Sequence, residues 1–401
     1  MDPWKISPYP QAFDWAFTIV HDADDAYSLR LAPLFQVFDR HRIKVSMTAF
    51  AFWADWANQG KIWSDWQGDD PFYAPKAVPL EHPPEAEFYR SLIERGHEVG
   101  LHTASDSHDT REEIQRAFEF FKAEFGVYPG FYVEHRDNLQ NHQFQGADPA
   151  SPYFITDLLN AYQPWVWIVS PSAIPYNGLG RYYDVLSTQR PLYGYTLARG
   201  WGIVKEFLKT RRINRVNGEL YELLRRGGSP FDRYALKKYG LVKAFRRAGR
   251  QQHSDGDGFV EWFRDEHLDE LERHNGLAIA YTHLNTRWLE PGVARMRRDL
   301  EQRFAAIASR NVWLATATTI LDRFAALERL HLATDGRWLK IANANDSPVE
   351  ALTIIAPPRC DLLRGEQRFS ANARRRIVVG DIGPYETLVF EIAASSGRAN
   401  A

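Results

Sequence analysis

The residues best suited to chemistry stand in one short polar run, His21-Asp22-Ala23-Asp24-Asp25, between the apolar stretch Trp15–Val20 and an amphipathic stretch from Tyr27 to His41. Three carboxylates and an imidazole thus fall where a strand ends and a helix begins, the place at which α/β folds gather their reactive groups. Carboxylates crowded at one strand end repel one another, and burial raises their pKa values. A bound cation is the simplest compensation. One Asp would serve as a cap for the following helix, which leaves the others to be explained.

A second run, His102-Thr103-Ala104-Ser105-Asp106-Ser107-His108, follows another apolar stretch. If the two strands are parallel, His102 shares a face with Asp22 and Asp24. Asp106 lies four residues on, on the same side of any helical turn, and His108 competes with it as a further ligand. Nitrogen and oxygen donors together suit zinc and other first-row divalent metals, with Mn, Co and Ni as alternatives. His283 ends the run Leu277–Tyr281 and could act as a proton donor, although a lone strand-end histidine is more often structural. Glu134, His135 and Arg136 follow Phe131–Val133 and could orient a base, bind substrate or form hydrogen-bonded turns.

The elements that must position these residues alternate. Strands are expected at 15–20, 43–52, 97–102, 131–133, 165–169, 277–281 and 312–315, and helices at 27–41, 85–95, 111–125, 259–274, 292–309 and 319–330. Alternation of this kind implies parallel strands with crossover helices. Continued over residues 1–330, it predicts a distorted (β/α) barrel. Residues 199–250 interrupt the pattern with 15 Lys or Arg against four acidic residues. They read as a basic helical insertion, extending to about 258, that is either a solvated face or a contact for phosphate or an anionic membrane surface. From 335 to 395 short strands alternate with Pro/Gly turns, which predicts a small β-sandwich-like accessory domain.

Composition narrows the function further. The 401 residues are 44% hydrophobic with a formal net charge of −2, which gives no electrostatic reason to expect nucleic-acid binding. Cys360 is the single cysteine, so a disulfide within the chain and a Cys-based metal site are both excluded. Without a recognisable signal peptide or an apolar run of membrane-spanning length, a cytoplasmic location is the default expectation. Thirteen Trp are compatible with stacking on sugar faces, although most Trp are core residues.

Asp-x-Asp at 22–24, Arg95-Gly96-His97-Glu98-Val99-Gly100-Leu101-His102-Thr103 and Tyr281-Thr282-His283-Leu284 together resemble the NodB-like polysaccharide deacetylases (carbohydrate esterase family four) over roughly residues 13–330. The resemblance implies a distorted (β/α) barrel, a divalent metal, usually zinc, and removal of N-acetyl groups from amino sugars. Carried over, Asp22 looks like the general base, Asp24 and His102 like metal ligands, and His283 like the general acid. Two departures stand out. Asp106 occupies the place of the family's second ligand histidine, with His108 two residues later. Val133-Glu134-His135-Arg136 stands where the family has an Arg-containing element that orients the base. The expected substrate is an N-acylated sugar, phosphate- or lipid-linked if it is a polysaccharide precursor. The competing expectations are a cyclic-amide or ureide hydrolase on the same scaffold and a non-catalytic sugar-binding protein.

Overall fold

The computed structural model describes residues 4–24, 28–54, 77–134, 138–141, 145–146, 148–167, 231–236, 240–245, 255–273 and 275–395. Two compact units result: Phe17–Arg310 with Leu314–Thr318, and Met1–Ala16 with Asn311–Trp313 and Thr319–Ala401. Among the described residues no helix is long and apolar enough to cross a membrane.

Strand β1 (Lys5–Ile6) belongs to the second unit, whereas the first is organised on β2 (Trp15–His21). Every residue of β2 is buried, as a strand covered on both faces of a parallel sheet requires. It is followed by β3 (Val45–Ala49), β4 (Glu98–Leu101), β5 (Phe131–Val133) and β6 (Trp165–Trp167). All four neighbouring pairs are parallel, in registers such as Val20↔Ser46, Met47↔Val99, Leu101↔Tyr132 and Tyr132↔Val166.

The connections carry helices α1 (Ala32–Arg40), α2 (Pro83–Glu94), α3 (Arg111–Phe125) and α4 (Thr156–Tyr162). Their apolar stripes face the sheet: α1 buries Leu34, Phe35, Val37 and Phe38, and α3 buries Ile114, Ala117, Phe118 and Phe121. Thr110 and Glu113 form a capping box at the start of α3, and Gly126, at φ 79°, ends it. Both ends follow from residue type: a hydroxyl acceptor for orphan amides, and a residue without Cβ in the left-handed region.

Of the helix expected at 27–41, Tyr27 lies outside the described residues, and Ser28–Leu31 form a 3-10 turn leading into α1. Pro33 stands in the first turn of α1, where a missing amide costs nothing. The single helix expected at 259–274 is two, α5 (Gly256–Trp262) and α6 (Asp265–Arg273). Asp255 caps α5 by accepting from the Gly258 amide at 2.8 Å.

Most of the basic segment lies outside the described residues. The part within them is β7 (Phe231–Leu236) and β8 (Gly240–Phe245), an antiparallel pair rather than a helix, with β8 parallel to β6. Pro230 directly precedes β7 and Gly240 opens β8, and basic charge belongs on a sheet edge as well as on a helix. Strand β9 (Leu277–Thr282) pairs with β2, and α7 (Arg298–Ala308) follows it. The first unit is therefore a distorted, open (β/α) barrel with sheet order β2-β3-β4-β5-β6-β8-β7 and β9 beside β2.

In chain order β10 (Val312–Leu314) and α8 (Ala317–Leu327) come next, and the remaining strands build the second unit. These are β11 (Leu330–Thr334), β12 (Trp338–Asn343), β13 (Val349–Ile355), β14 (Cys360–Arg364), β15 (Gln367–Phe369), β16 (Arg376–Ile382) and β17 (Thr387–Ala394). They form two antiparallel sheets, β1-β13-β16 and β11-β12-β17-β14-β15. Alternate residues turn inward, so that Leu339, Ile341, Leu352, Ile354, Leu362 and Phe390 make the core. Within this unit Arg376 forms a buried ion pair with Asp14.

Candidate active site

The carboxyl ends of the parallel strands deliver the candidate residues to one face. Asp22 and Asp24 follow β2, His102 follows β4, Glu134 follows β5 and His283 follows β9. The chain after β2 is held from both sides. On one side the Asp22 amide donates to Thr282 O at 3.0 Å. On the other, Thr48 of β3 receives the Ala23 amide and donates to His21 O, each at 2.9 Å. His102 is set by its own amide, which donates to Ala49 O at 2.8 Å.

The side chains converge. His102 Nε2 lies 2.8 Å from Asp22 Oδ1 and 3.3 Å from Asp24 Oδ1. The Asp24 amide donates to the same Asp22 oxygen at 3.1 Å. On the other side of the carboxylate, Asp22 Oδ2 lies 3.5 Å from His283 Nε2 and accepts a hydrogen bond from the Tyr281 hydroxyl. Asp22, Asp24 and His102 are 5%, 6% and 1% exposed. The His283 side chain is 25% exposed, so it opens to solvent far more than Asp22, Asp24 or His102.

Electrostatics follow from this packing. Burial and the Asp24 charge push the Asp22 carboxyl up, but His102 and His283 outweigh them and hold it below the usual carboxylate value. Burial opposes protonation of His102, and the two facing carboxylates override it, so its pKa is raised. His21 differs. Burial, then the nearby His283, lowers it to about 3, leaving a neutral ring whose Nδ1 accepts the Leu284 amide at 3.1 Å. Together with the 3.2 Å bond from Asn285 Nδ2 to Asp24 O, this ties the segment carrying His283 to the segment carrying both aspartates.

Asp22, Asp24 and His102 could hold a metal ion. One ligand atom from each lies within 4.8 Å of the others, and all three are buried. Two buried carboxylates carry negative charge that a divalent cation offsets, and a mixed oxygen and nitrogen donor set fits a first-row metal. Phe50 stacks on the His102 ring, with centroids 4.7 Å apart and planes at 18°. Thr103 follows at φ 58°, a left-handed conformation that is costly for a β-branched residue. Its hydroxyl lies against His102 O and Ser105 O at 2.6 and 2.7 Å.

Of the other residues singled out in the sequence, Asp106 and His108 are half-buried on the loop after His102, outside the group of three. His108 Nδ1 accepts the Leu139 amide at 3.4 Å. Glu134 is buried, and its amide donates to Trp167 O at 3.0 Å. His135 and Arg136 lie outside the described residues, as does Asp25.

Two residues that sequence reasoning passed over matter here. Asp109 organises the loop after His102: it accepts the Ala104 and Ser105 amides, both at 3.0 Å, the Ser105 hydroxyl at 2.5 Å and Gln140 Nε2 at 3.2 Å. Burial pushes its carboxyl up to about 7. Tyr281 reaches Asp22 directly. Its position two residues before His283, on the same side of a strand, was the available signal.

No protein-family model and no curated protein matches the chain. Solved structures similar to it include a probable polysaccharide deacetylase from Pseudomonas aeruginosa PAO1, at 10% identity over 79% of this chain and 93% of that one, with a TM-score of 0.42. Puue allantoinase is similar at 11% identity over 81% and 94%, with a TM-score of 0.43. The Bc1960 peptidoglycan N-acetylglucosamine deacetylase is similar at 14% identity over 51% and 86%, with a TM-score of 0.25. The functional reading rests on the chain's own residues.

Proposed function

We propose that the chain is a metal-dependent amide hydrolase that removes an N-acetyl or other N-acyl group from an amino sugar. The observation that carries the reading is the double environment of Asp22. One of its oxygens faces the buried His102 and the Asp24 amide, and the other faces the partly open His283. A divalent cation held by Asp24 and His102 beside Asp22 would lower the pKa of a water and polarise the amide carbonyl.

The residues supply the rest. Asp22, kept ionised by its histidine neighbours, accepts the proton of the attacking water through Oδ2. His283, open to the substrate side, donates a proton to the leaving amine. Burial of Asp22, Asp24 and His102 excludes bulk solvent, which strengthens each of these interactions. A sugar as the acylated partner rests on the sequence resemblance at Asp22-Ala23-Asp24 and at 95–103. A cyclic amide is the second substrate class, suggested by Asp106 and Glu134-His135-Arg136 at the two places where the sequence departs from that pattern.

Asp22→Asn keeps the shape and one oxygen but cannot take a proton. Acetate release from an N-acetylated chito-oligosaccharide is expected to fall at least ~100-fold, with divalent metal still bound stoichiometrically. Turnover at the wild-type rate would remove Asp22 from the role of base. Ring opening of a cyclic ureide without acetate release would select the second substrate class.

A further inference from the structure

Strand β9 buries five of its six residues, and Tyr281 is the exception, half-buried at the end where the site lies. Its ring packs against two others. The Trp167 indole, which ends β6, stacks on it with centroids 5.0 Å apart and planes at 20°. The His283 imidazole stands nearly perpendicular to it, at 5.6 Å and 81°. In sheet order β9 lies beside β2, while β6 is four strands beyond β2. The Tyr281–Trp167 stack therefore joins strands from distant positions in the sheet, and the phenol is fixed by contacts from both. So held, the hydroxyl donates to Asp22 Oδ2, the oxygen on the His283 side.

We propose that Tyr281 is the positioning residue of Asp22: its O–H fixes the carboxylate plane and leaves one defined lone pair of Oδ2 to receive the proton from water. The proposal rests on Asp22 acting as the base. A carboxylate held only through Oδ1 can still rotate about its Cβ–Cγ bond, because that torsion is broad and soft. His102 and the Asp24 amide hold Oδ1, and Tyr281 supplies the second point. Hydrogen bonds to an ionised acceptor are the stronger kind, so a phenol suffices. Tyr281 holds the base by donating to it, and it takes no part in metal binding or in proton transfer to the leaving group.

Tyr281→Phe separates this role from packing, because it retains the ring on Trp167 and removes only the donor. With an N-acetylated chito-oligosaccharide as substrate, kcat is expected to fall about 10–100-fold with KM within about 2-fold, the pattern of a lost transition-state contact. Zinc uptake should match the wild type, and thermal stability should fall less than in Tyr281→Leu, which loses the ring as well as the donor. Tyr281→Leu should lose no more kcat than Tyr281→Phe. If the residue only packs, Tyr281→Phe behaves as wild type while Tyr281→Leu fails, and the proposal is overturned. In Asp22→Asn/Tyr281→Phe the second change should add nothing to the first, since both act through one carboxylate; an additive loss also overturns it.

A readout independent of turnover is the tyrosine Fermi doublet in ultraviolet resonance Raman, taken as wild type minus Tyr281→Phe. It should report a strong hydrogen-bond donor that weakens in Asp22→Asn, and an unchanged doublet in Asp22→Asn counts against the proposal. If Asp22→Asn retains full turnover, the base reading fails. If Asp22→Asn is inactive and Tyr281→Phe is not impaired, only the role of Tyr281 fails.

Discussion

Replacing Gly100 with alanine tests how the scaffold sets the position of His102. Gly100 lies in β4, two residues before His102, and β4 pairs with β5 through Leu101↔Tyr132. A Cβ on Gly100 would meet the Phe131 ring at 2.5 Å from Cε1 and 2.6 Å from Cδ1 and Cζ. Carbon atoms prefer about 3.5–4.0 Å, so the overlap is on the order of 1 Å. Phe131 is fully buried and has no room to swing aside. Overpacking of this kind costs about 1–3 kcal/mol. In a unit of this size that is a fall in Tm of roughly 2–12 °C.

The effect on turnover should be comparable in free energy with the effect on stability. The clash is relieved by moving β4 or the ring by a substantial part of that 1 Å, and β4 carries His102. A displacement of ~1 Å in a catalytic constellation costs about 100-fold in rate. Urea unfolding of Gly100→Ala, Phe131→Ala and the double variant gives the measurement. Phe131→Ala alone should cost about 3–5 kcal/mol for the lost ring and cavity. The double variant should cost no more than Phe131→Ala, because the methyl then enters vacated space. If the two costs add, the ring is not what excludes a side chain at position 100, and the reasoning fails.

Two further outcomes follow from the same packing. His102→Ala leaves Asp22 and Asp24 buried without their shared partner, which should destabilise the metal-free protein by about 3–5 kcal/mol at neutral pH. That loss should shrink as pH drops through the carboxylate range and one carboxyl takes up a proton; a loss independent of pH would count against it. His97 reports on the structural half of the same sequence run. Burial lowers its pKa from 6.5 to about 4, so the folded protein binds fewer protons than the unfolded chain between those values. Stability present above pH 6.5 should therefore be lost as pH falls towards 4, by about 3 kcal/mol. In His97→Gln that part of the pH dependence should vanish; an unchanged slope in chemical denaturation would place its source elsewhere.

The parts of the fold legible in the sequence were those with one dominant cause. Continuous apolar runs marked β2, β3 and β9, because strands covered on both faces need nothing polar. The range 111–125 matched α3 at both ends, because the ends are set by local chemistry at Thr110, Glu113 and Gly126. β1 was not legible. Two residues, Lys5 and Ile6, carry no periodicity, and their strand exists because β13 offers an edge at Ile354 and Ile355. The break between α5 and α6 was missed for a related reason: apolar spacing continues across it, and the chain turns where His267 Nδ1 meets Trp262 O at 2.6 Å.

The site shows the same division. Asp22, Asp24, His102 and His283 were singled out because polar residues at strand ends are conspicuous, and the structure brings these four together. Tyr281 was hidden because a tyrosine near the end of an apolar strand looks like core. Asp109 was hidden because its partners are backbone amides at 104 and 105, which no residue type announces. His21 reads as packing until its ring is seen to accept the Leu284 amide.

The two halves of the site differ in how firmly the fold sets them. Asp22 and His283 come from hydrogen-bonded neighbours, β2 and β9, and a backbone bond from Asp22 to Thr282 O joins their ends. His21 and Asn285 then lock the following residues. Asp24 and His102 come from strands separated by β3, so their spacing must be carried across an intervening element. Thr48 does this at one end by bonding both His21 O and the Ala23 amide, and Ala49 O does it at the other by receiving the His102 amide. In the proposed reaction both paths would matter: proton transfer needs reacting atoms brought within about 3–3.5 Å, and a cation held by Asp24 and His102 would need ligand distances kept to within about 0.2 Å. Asp22, on the shorter path, is the carboxylate that faces His283.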